Sequence, residues 1–265
     1  MIEIPFTKLH GAENDFLLSW GDEARVNDLP EAARRICART TGIGADGWML
    51  LWREERGLRT KLFNSDGSEP EISGNGTRCA AAFSIAKGVA SGPAVRISTA
   101  AGAKDLRLIS HSGDLFVFEM DMGLPRVEEL HANLSLAGME FDATILNVGN
   151  PQCAIFVTEL PKNWQGAARE AQRLERFPNQ TNVSFVRVLD GHTISAVFYE
   201  RGAGETKSSG TGSTGAAVAA ILRDIAESPV EIRTPAGTLR LRWEDSIYLT
   251  GPAQIIGEGT FFLDL

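Results

Sequence analysis

Two stretches of the chain, Glu71-Ile72-Ser73-Gly74-Asn75-Gly76-Thr77-Arg78 and Lys207-Ser208-Ser209-Gly210-Thr211-Gly212-Ser213-Thr214, each set a serine before Gly-polar-Gly at the mouth of an Ala-rich run. An offset of 136 residues carries Ser73 onto Ser209, and the same offset carries Asn14 onto Asn150 and Asn64 onto Glu200. A fainter echo, one residue out of step, links Ser98-Thr99-Ala100-Ala101-Gly102 to Arg233-Thr234-Pro235-Ala236-Gly237. A near-repeat of this length predicts two similar halves, 1–121 and 122–265, meeting across a cleft. Each half would present a helix N-terminus, where unpaired N–H groups and the helix dipole favour an anion or developing negative charge.

The bulk numbers fit that reading and remove others. A chain of 265 residues suits two domains of ordinary size, and 43% hydrophobic with 23% charged residues suits a buried core. The net charge of −8 and the lack of Lys/Arg clusters interleaved with aromatics argue against nucleic acid as a partner. No apolar run reaches membrane-spanning length, and Met1-Ile2-Glu3-Ile4-Pro5-Phe6 lacks the basic-then-apolar pattern of a secretory signal, so a cytoplasmic location is expected. Cys37, Cys79 and Cys153 are odd in number and lack CxxC spacing; they read as buried apolar thiols, with no metal site expected.

Short β-branched and aromatic runs between Gly, Asn and Asp predict strands at 2–9, 16–20, 60–63, 95–99 and 115–120, then at 154–157, 183–188, 192–199, 230–234, 239–243 and 247–250. Helices are predicted at 30–39, 76–87, 164–176 and 211–226. Strand-rich halves with about two helices each indicate α+β and not an alternating α/β chain.

The candidate chemistry gathers around the two glycine turns. Gly210-Thr211-Gly212-Ser213-Thr214-Gly215 matches GxGxxG, but a loop from Glu200 to Ser209 separates it from the preceding strand, which disfavours a dinucleotide site. A better account makes Gly74, Asn75, Gly210 and Thr211 backbone donors to a carboxylate, with Ser73 and Ser209 either flanking the ligand or acting as plain N-caps. Glu200-Arg201 offers a carboxylate beside a guanidinium, a pair that could hold the ammonium and carboxylate of an amino acid. Asn14, Asn64, Asn150 and Asn182 add amides in turn-like contexts.

Taken together these motifs resemble the diaminopimelate epimerase family over nearly the whole chain. The resemblance rests on Lys8-Leu9-His10-Gly11 with Asn14-Asp15-Phe16, Gly42-Ile43-Gly44-Ala45-Asp46, Asn64-Ser65-Asp66-Gly67-Ser68, Gly74-Asn75-Gly76-Thr77-Arg78-Cys79, Gly149-Asn150-Pro151, Asn182, Tyr199 to Thr206, and Thr250-Gly251-Pro252-Ala253. It implies two pseudo-symmetric domains, each a curled, mostly antiparallel sheet around a central helix. It also implies a cofactor-independent isomerase that interconverts LL- and meso-diaminopimelate in lysine biosynthesis, and it is compatible with a homodimer. By this resemblance Asn14, Asn64, Asn150, Asn182, Glu200 and Arg201 contact the substrate, and Gly74, Asn75, Gly210 and Thr211 bind its carboxylate through their amides. A thiolate on one face removes the α-proton and a thiol on the other delivers one.

The chain departs from that pattern where chemistry would occur. The two cysteine positions hold Ser73 and Ser209, the histidine expected beside the first thiol is Gln152, and a substrate-side glutamine is Gly47. A helix terminus is worth ~0.3–2 kcal/mol, about one pKa unit at ~1.4 kcal/mol per unit. That helps a thiol reach thiolate at neutral pH but falls short for a hydroxyl. A serine therefore needs a base to take its proton, and Glu200 is the candidate for Ser209. Three readings stay open: an epimerase whose thiols were exchanged for serine, a relative running an isomerisation on carboxylates such as Glu200 and Glu71, and a catalytically silent amino-acid binder.

Overall fold

The structure, a computed structural model, describes residues 1–55 and 57–264. The chain divides into two compact units, Met1–Met120 with Gly251–Leu265, and Asp121–Thr250. The expected halves, 1–121 and 122–265, differ from this division at the C-terminal end. The reason is strand pairing: the last strand runs antiparallel to the first, from Ile2 opposite Leu263 to His10 opposite Gln254, so the end of the chain packs with its beginning.

The first unit contains β1 (Ile2–Gly11), β2 (Asn14–Trp20), α1 (Leu29–Cys37), β3 (Gly47–Glu54), β4 (Gly57–Asn64), α2 (Gly74–Ala86), β5 (Ala94–Thr99), β6 (Gly102–Ser112) and the start of β7 (Leu115–Gly123). Neighbouring strands follow chain order; β2–β3 and β4–β5 are parallel and the other pairs antiparallel. The second unit contains β8 (Arg126–Leu136), β9 (Met139–Asn147), β10 (Pro151–Phe156), α3 (Trp164–Gln172), β11 (Asn182–Asp190), β12 (Thr193–Glu200), β13 (Gly204–Thr206), α4 (Gly210–Leu222), β14 (Val230–Thr234), β15 (Gly237–Trp243) and the start of β16 (Ile247–Leu263). Here β10–β11 and β12–β14 are the parallel pairs. The 136-residue offset carries β4 onto β12 and α2 onto α4 residue for residue, so the repeat read from two short motifs extends through both units.

The two Ala-rich helices are central within their units. Every residue from Gly74 to Ser84 in α2 and from Gly210 to Ala220 in α4 is buried. A helix walled in on all sides needs no polar stripe, and small side chains let the surrounding strands approach closely. By contrast α1 and α3 bury one face each, Ala32, Ala33, Ile36 and Cys37 in one and Ala167, Ala168 and Ala171 in the other. All four helices lie where the sequence predicts them, within a few residues. Strands β3, β6, β8, β9 and β13 were not predicted. Gly47 to Leu51 of β3 are all buried, so the alternation that marks a half-exposed strand is missing. The supposed loop from Glu200 to Ser209 contains β13, which pairs with the end of β12.

One ion pair ties the far end of α4 to its sheet. The Arg223 guanidinium, almost wholly buried, donates to both oxygens of Asp142 (2.6 and 2.7 Å), to Thr144 Oγ1 (2.8 Å) and to Leu130 O (2.7 Å), and stacks 4.4 Å from the Phe156 ring. Hydrogen bonds from Arg223 hold the Asp142 carboxyl below its usual range. Its stabilisation is therefore present above the ordinary aspartate pKa and is lost as pH falls through the depressed value. Arg223→Ala is expected to cost about 2 kcal/mol in urea denaturation at pH 7, because Asp142 is half-exposed and water takes up part of the loss. The difference from wild type should shrink as pH falls below the ordinary aspartate range.

Candidate active site

In each unit the candidate residues share one end of the sheet with one helix N-terminus. In the first, Asn14 opens β2, Asn64 ends β4 opposite Gly47, and Ser73 caps α2 by accepting the Gly76 N–H at 3.1 Å. In the second, Asn150 precedes β10, Asn182 opens β11, Glu200 ends β12, and Ser209 caps α4 by accepting the Gly212 N–H at 3.0 Å. The N-cap reading of both serines is thus correct as geometry, and an N-cap serine is worth ~1 kcal/mol. The caps do not use the amides of Gly74, Gly210 and Thr211, which sit in the first turn where N–H groups lack intrahelical acceptors.

The two halves differ in what else the serine touches. Ser209 Oγ donates to Glu200 Oε1 at 2.6 Å, and Thr206 Oγ1 donates to Glu200 Oε2 at 2.9 Å. Glu200 is thereby aimed, with one oxygen held by threonine and the other facing the hydroxyl. Among the described residues Ser73 Oγ has no carboxylate or imidazole hydrogen-bonded to it. Around Ser209, Asn150 Nδ2 donates to Thr211 Oγ1 at 3.2 Å and Gln152 Nε2 to Asn150 Oδ1 at 2.6 Å. Asn182 Oδ1 accepts the Arg201 N–H at 2.9 Å while its Nδ2 donates to Pro151 O at 3.1 Å, and Arg201 Nη1 reaches Asn179 O at 3.2 Å.

In the first unit Asn75 Nδ2 donates to Asn14 Oδ1 at 3.3 Å, and Asn14 Nδ2 donates to Asp46 Oδ2 at 2.7 Å. Among the described residues the Asn64 side chain bonds within its own turn, Nδ2 donating to Ser68 Oγ at 2.9 Å. Position 47 has no room for a side chain: a Cβ there would sit 2.9 Å from Phe63 O and 3.1 Å from a Leu62 methyl. Sequence reasoning missed Thr206, Asp46 and Arg78 as parts of the site. For Asp46 a signal existed, since the 136-residue offset carries it onto Asn182; for Thr206 and Arg78 none did, because their contacts are made by folding.

The thiols stand apart from this chemistry. Cys37, Cys79 and Cys153 are buried, and burial pushes each up to about 12. A thiol at that value is inert at neutral pH. A disulfide reagent such as 5,5′-dithiobis(2-nitrobenzoate) is expected to titrate no thiol in the native protein at pH 8 and three after unfolding.

The fold of each unit, a curled sheet around a buried helix, is shared with solved epimerases. A solved hydroxyproline epimerase from Agrobacterium vitis superposes with a TM-score of 0.75 at 14% identity, covering 100% of this chain and 94% of that one. A phenazine biosynthesis protein of the PhzF family from Bacillus anthracis gives the same TM-score at 14% identity, covering 99% and 100%. Sequence narrows the class: residues 6–127 and 144–256 match the diaminopimelate epimerase family. Diaminopimelate epimerase from Moorella thermoacetica is 38% identical over 98% of this chain and 99% of its own, and that from Desulfitobacterium hafniense 33% over 97% and 98%. The chain belongs to the diaminopimelate epimerase family.

Proposed function

We propose that this protein is a cofactor-independent isomerase acting at the α-carbon of a free amino acid in the cytoplasm. LL-diaminopimelate, on the route to lysine, is the first substrate to test because the relatives carry that name. The observation that carries the proposal is the 2.6 Å contact from Ser209 Oγ to Glu200 Oε1 at the start of α4. In the step it supports, the Ser209 oxygen accepts the α-proton as its own proton passes to the Glu200 carboxylate. One proton moves from carbon to Glu200 in net terms, and the electron pair left on carbon spreads into the substrate carboxylate. The first-turn amides of Gly210 and Thr211 and the α4 dipole suit that negative charge. In this reading Asn150, Asn182 and Arg201, in the same unit as Ser209, contact the substrate, and Asn14, Asn64, Gly74 and Asn75 are the corresponding polar set of the first unit.

A second reading is favoured by one asymmetry. Among the described residues Ser73 has no carboxylate hydrogen-bonded to it, whereas Ser209 has Glu200, so only the Ser209 hydroxyl is paired with a base. A single base returns the proton to the face it left, as in an isomerase that shifts a proton without inverting a centre. Incubation with LL-diaminopimelate in D₂O separates the cases. Loss of the α-proton NMR signal with formation of the meso isomer on chiral chromatography supports the epimerase; exchange without inversion supports the one-base isomerase. Bound ligand with no exchange leaves only a binding protein and ends the enzymatic proposal.

A further inference from the structure

Arg78 has no exposed surface, and among the described residues no carboxylate pairs with it. Its guanidinium donates to Pro252 O at 3.1 Å, to Gly74 O at 3.4 Å and, in a short contact, to Asn75 Oδ1. Burial pushes it down to about 10, which leaves it charged at neutral pH. A guanidinium only donates, so the Asn75 atom facing it must be the oxygen and the Asn75 NH₂ must point away, toward Asn14 Oδ1. At the other end an ionised carboxylate only accepts. Asp46 Oδ2 takes the Asn14 Nδ2–H at 2.7 Å and the Asp15 N–H at 3.2 Å, and its Oδ1 is held by Arg39 at 2.7 Å. Asp15 in turn binds Arg39 and Lys8, and these contacts hold its carboxyl low despite the opposing effect of burial. The row Arg78–Asn75–Asn14–Asp46 therefore has one permitted direction, set by an obligate donor at one end and an obligate acceptor at the other.

We propose that Arg78 and Asp46 are positioning residues that fix, from opposite ends, the amide orientation of Asn75 and Asn14, so that Asn14 meets a ligand as a hydrogen-bond donor to a carboxylate oxygen. Asn14 is partly exposed; its Oδ1 is turned to Asn75 and one amide hydrogen to Asp46, which leaves the second hydrogen for the ligand. The second unit shows the arrangement without ions. The offset places Thr214 at the Arg78 position and Asn182 at the Asp46 position, and there the polarity is reversed: Asn150 donates to the helix residue Thr211, where Asn14 accepts from the helix residue Asn75. Two asparagines equivalent in the fold thus present opposite faces to their helices: in the second unit Gln152 donates to Asn150 Oδ1, and in the first the charged pair stands at the two ends of the row.

The ligand half of this inference rests on the amino-acid reading above; the amide half does not. In ¹⁵N-labelled protein, the side-chain amide signals of Asn14 and Asn75, assigned by their loss in Asn14→Ala and Asn75→Ala, are expected to exchange slowly with solvent. Asp46→Asn and Arg78→Met each remove one obligate end and are expected to speed that exchange at least tenfold. Arg78→Lys, still a pure donor, should recover most of the loss. Calorimetric titration with LL-diaminopimelate should show Kd raised about tenfold in Asp46→Asn, the worth of one ~1.4 kcal/mol hydrogen bond to a charged group, with the kcat for bound substrate changed less than threefold. Unchanged amide exchange in Asp46→Asn, a surface-edge variant that does not disturb the core, overturns the proposal whatever Arg78→Met does. If the wild type binds no diaminopimelate, the substrate reading fails, and the amide exchange still decides the positioning roles.

Discussion

Glu200→Gln is expected to slow exchange of the substrate α-proton about 10³-fold, within the ~10²–10⁴ contributed by a positioned general base. Glutamine keeps the shape of the side chain and can still bond Thr206 and Ser209, but it cannot take a proton, so the exchange rate at saturating substrate should collapse by far more than Kd rises. Ser209→Ala should lose a comparable factor, because the hydroxyl relays the proton, and should also lose about 1 kcal/mol of stability with the α4 N-cap. Ser73→Ala loses the same cap on α2 but touches no base, and its effect on exchange should be under tenfold. The measurement is the ¹H NMR decay of the α-signal in D₂O at matched, saturating substrate. Exchange in Glu200→Gln at the wild-type rate would place the base elsewhere and remove the proposed step.

Gly42→Ala is expected to destabilise the protein by about 3 kcal/mol, the upper end of the cost of forcing extra atoms into a packed site. A Cβ on Gly42 would lie 2.2 Å from Arg35 O, 2.7 Å from Ile36 O and 3.0 Å from Ala38 O. All three are backbone atoms at the end of α1, so no side chain can swing aside. The Gly42 N–H bonds Ala38 O, Ile43 and Gly44 bond Ile36 O, and Ala45 bonds Cys37 O, which makes the turn a rigid strap from α1 to Asp46. Displacing it should also loosen Asp46 from Asn14 and weaken substrate binding. The checks are the urea midpoint and the Kd; a loss under 1 kcal/mol would mean that the strap yields.

Much of this molecule was readable in its residues. The 136-residue spacing of Ser73 and Ser209 held across whole elements, because duplicated halves keep their helix starts in step. Helix positions followed from local signals such as Pro30-Glu31 in the first turn of α1; the structure adds an N-cap there, the Asp28 side chain accepting the Glu31 N–H at 3.0 Å. The approach of Glu200 to Ser209 was expected from the need of a serine for a base. Of the missed strands β3 lacks alternation, its first five residues all being buried, whereas β8 alternates at Ala132, Leu134 and Leu136 and was still missed; the missed site residues were those whose roles depend on a partner distant in sequence, as with Arg78 and Pro252.

The sequence by itself determined the repeat, the α+β class, the four helices, the family and the serines in place of thiols, since each depends on residue type and spacing along the chain. Tertiary structure decided the rest. Pairing of β16 with β1 assigns the chain end to the first unit, Thr206 aims one carboxylate oxygen of Glu200 at Ser209, and Arg78 and Asp46 impose a direction on amides that could face either way. The physical reason is that spacing and propensity are local, whereas burial, strand partners and hydrogen-bond polarity exist only once residues far apart in the chain have come into contact.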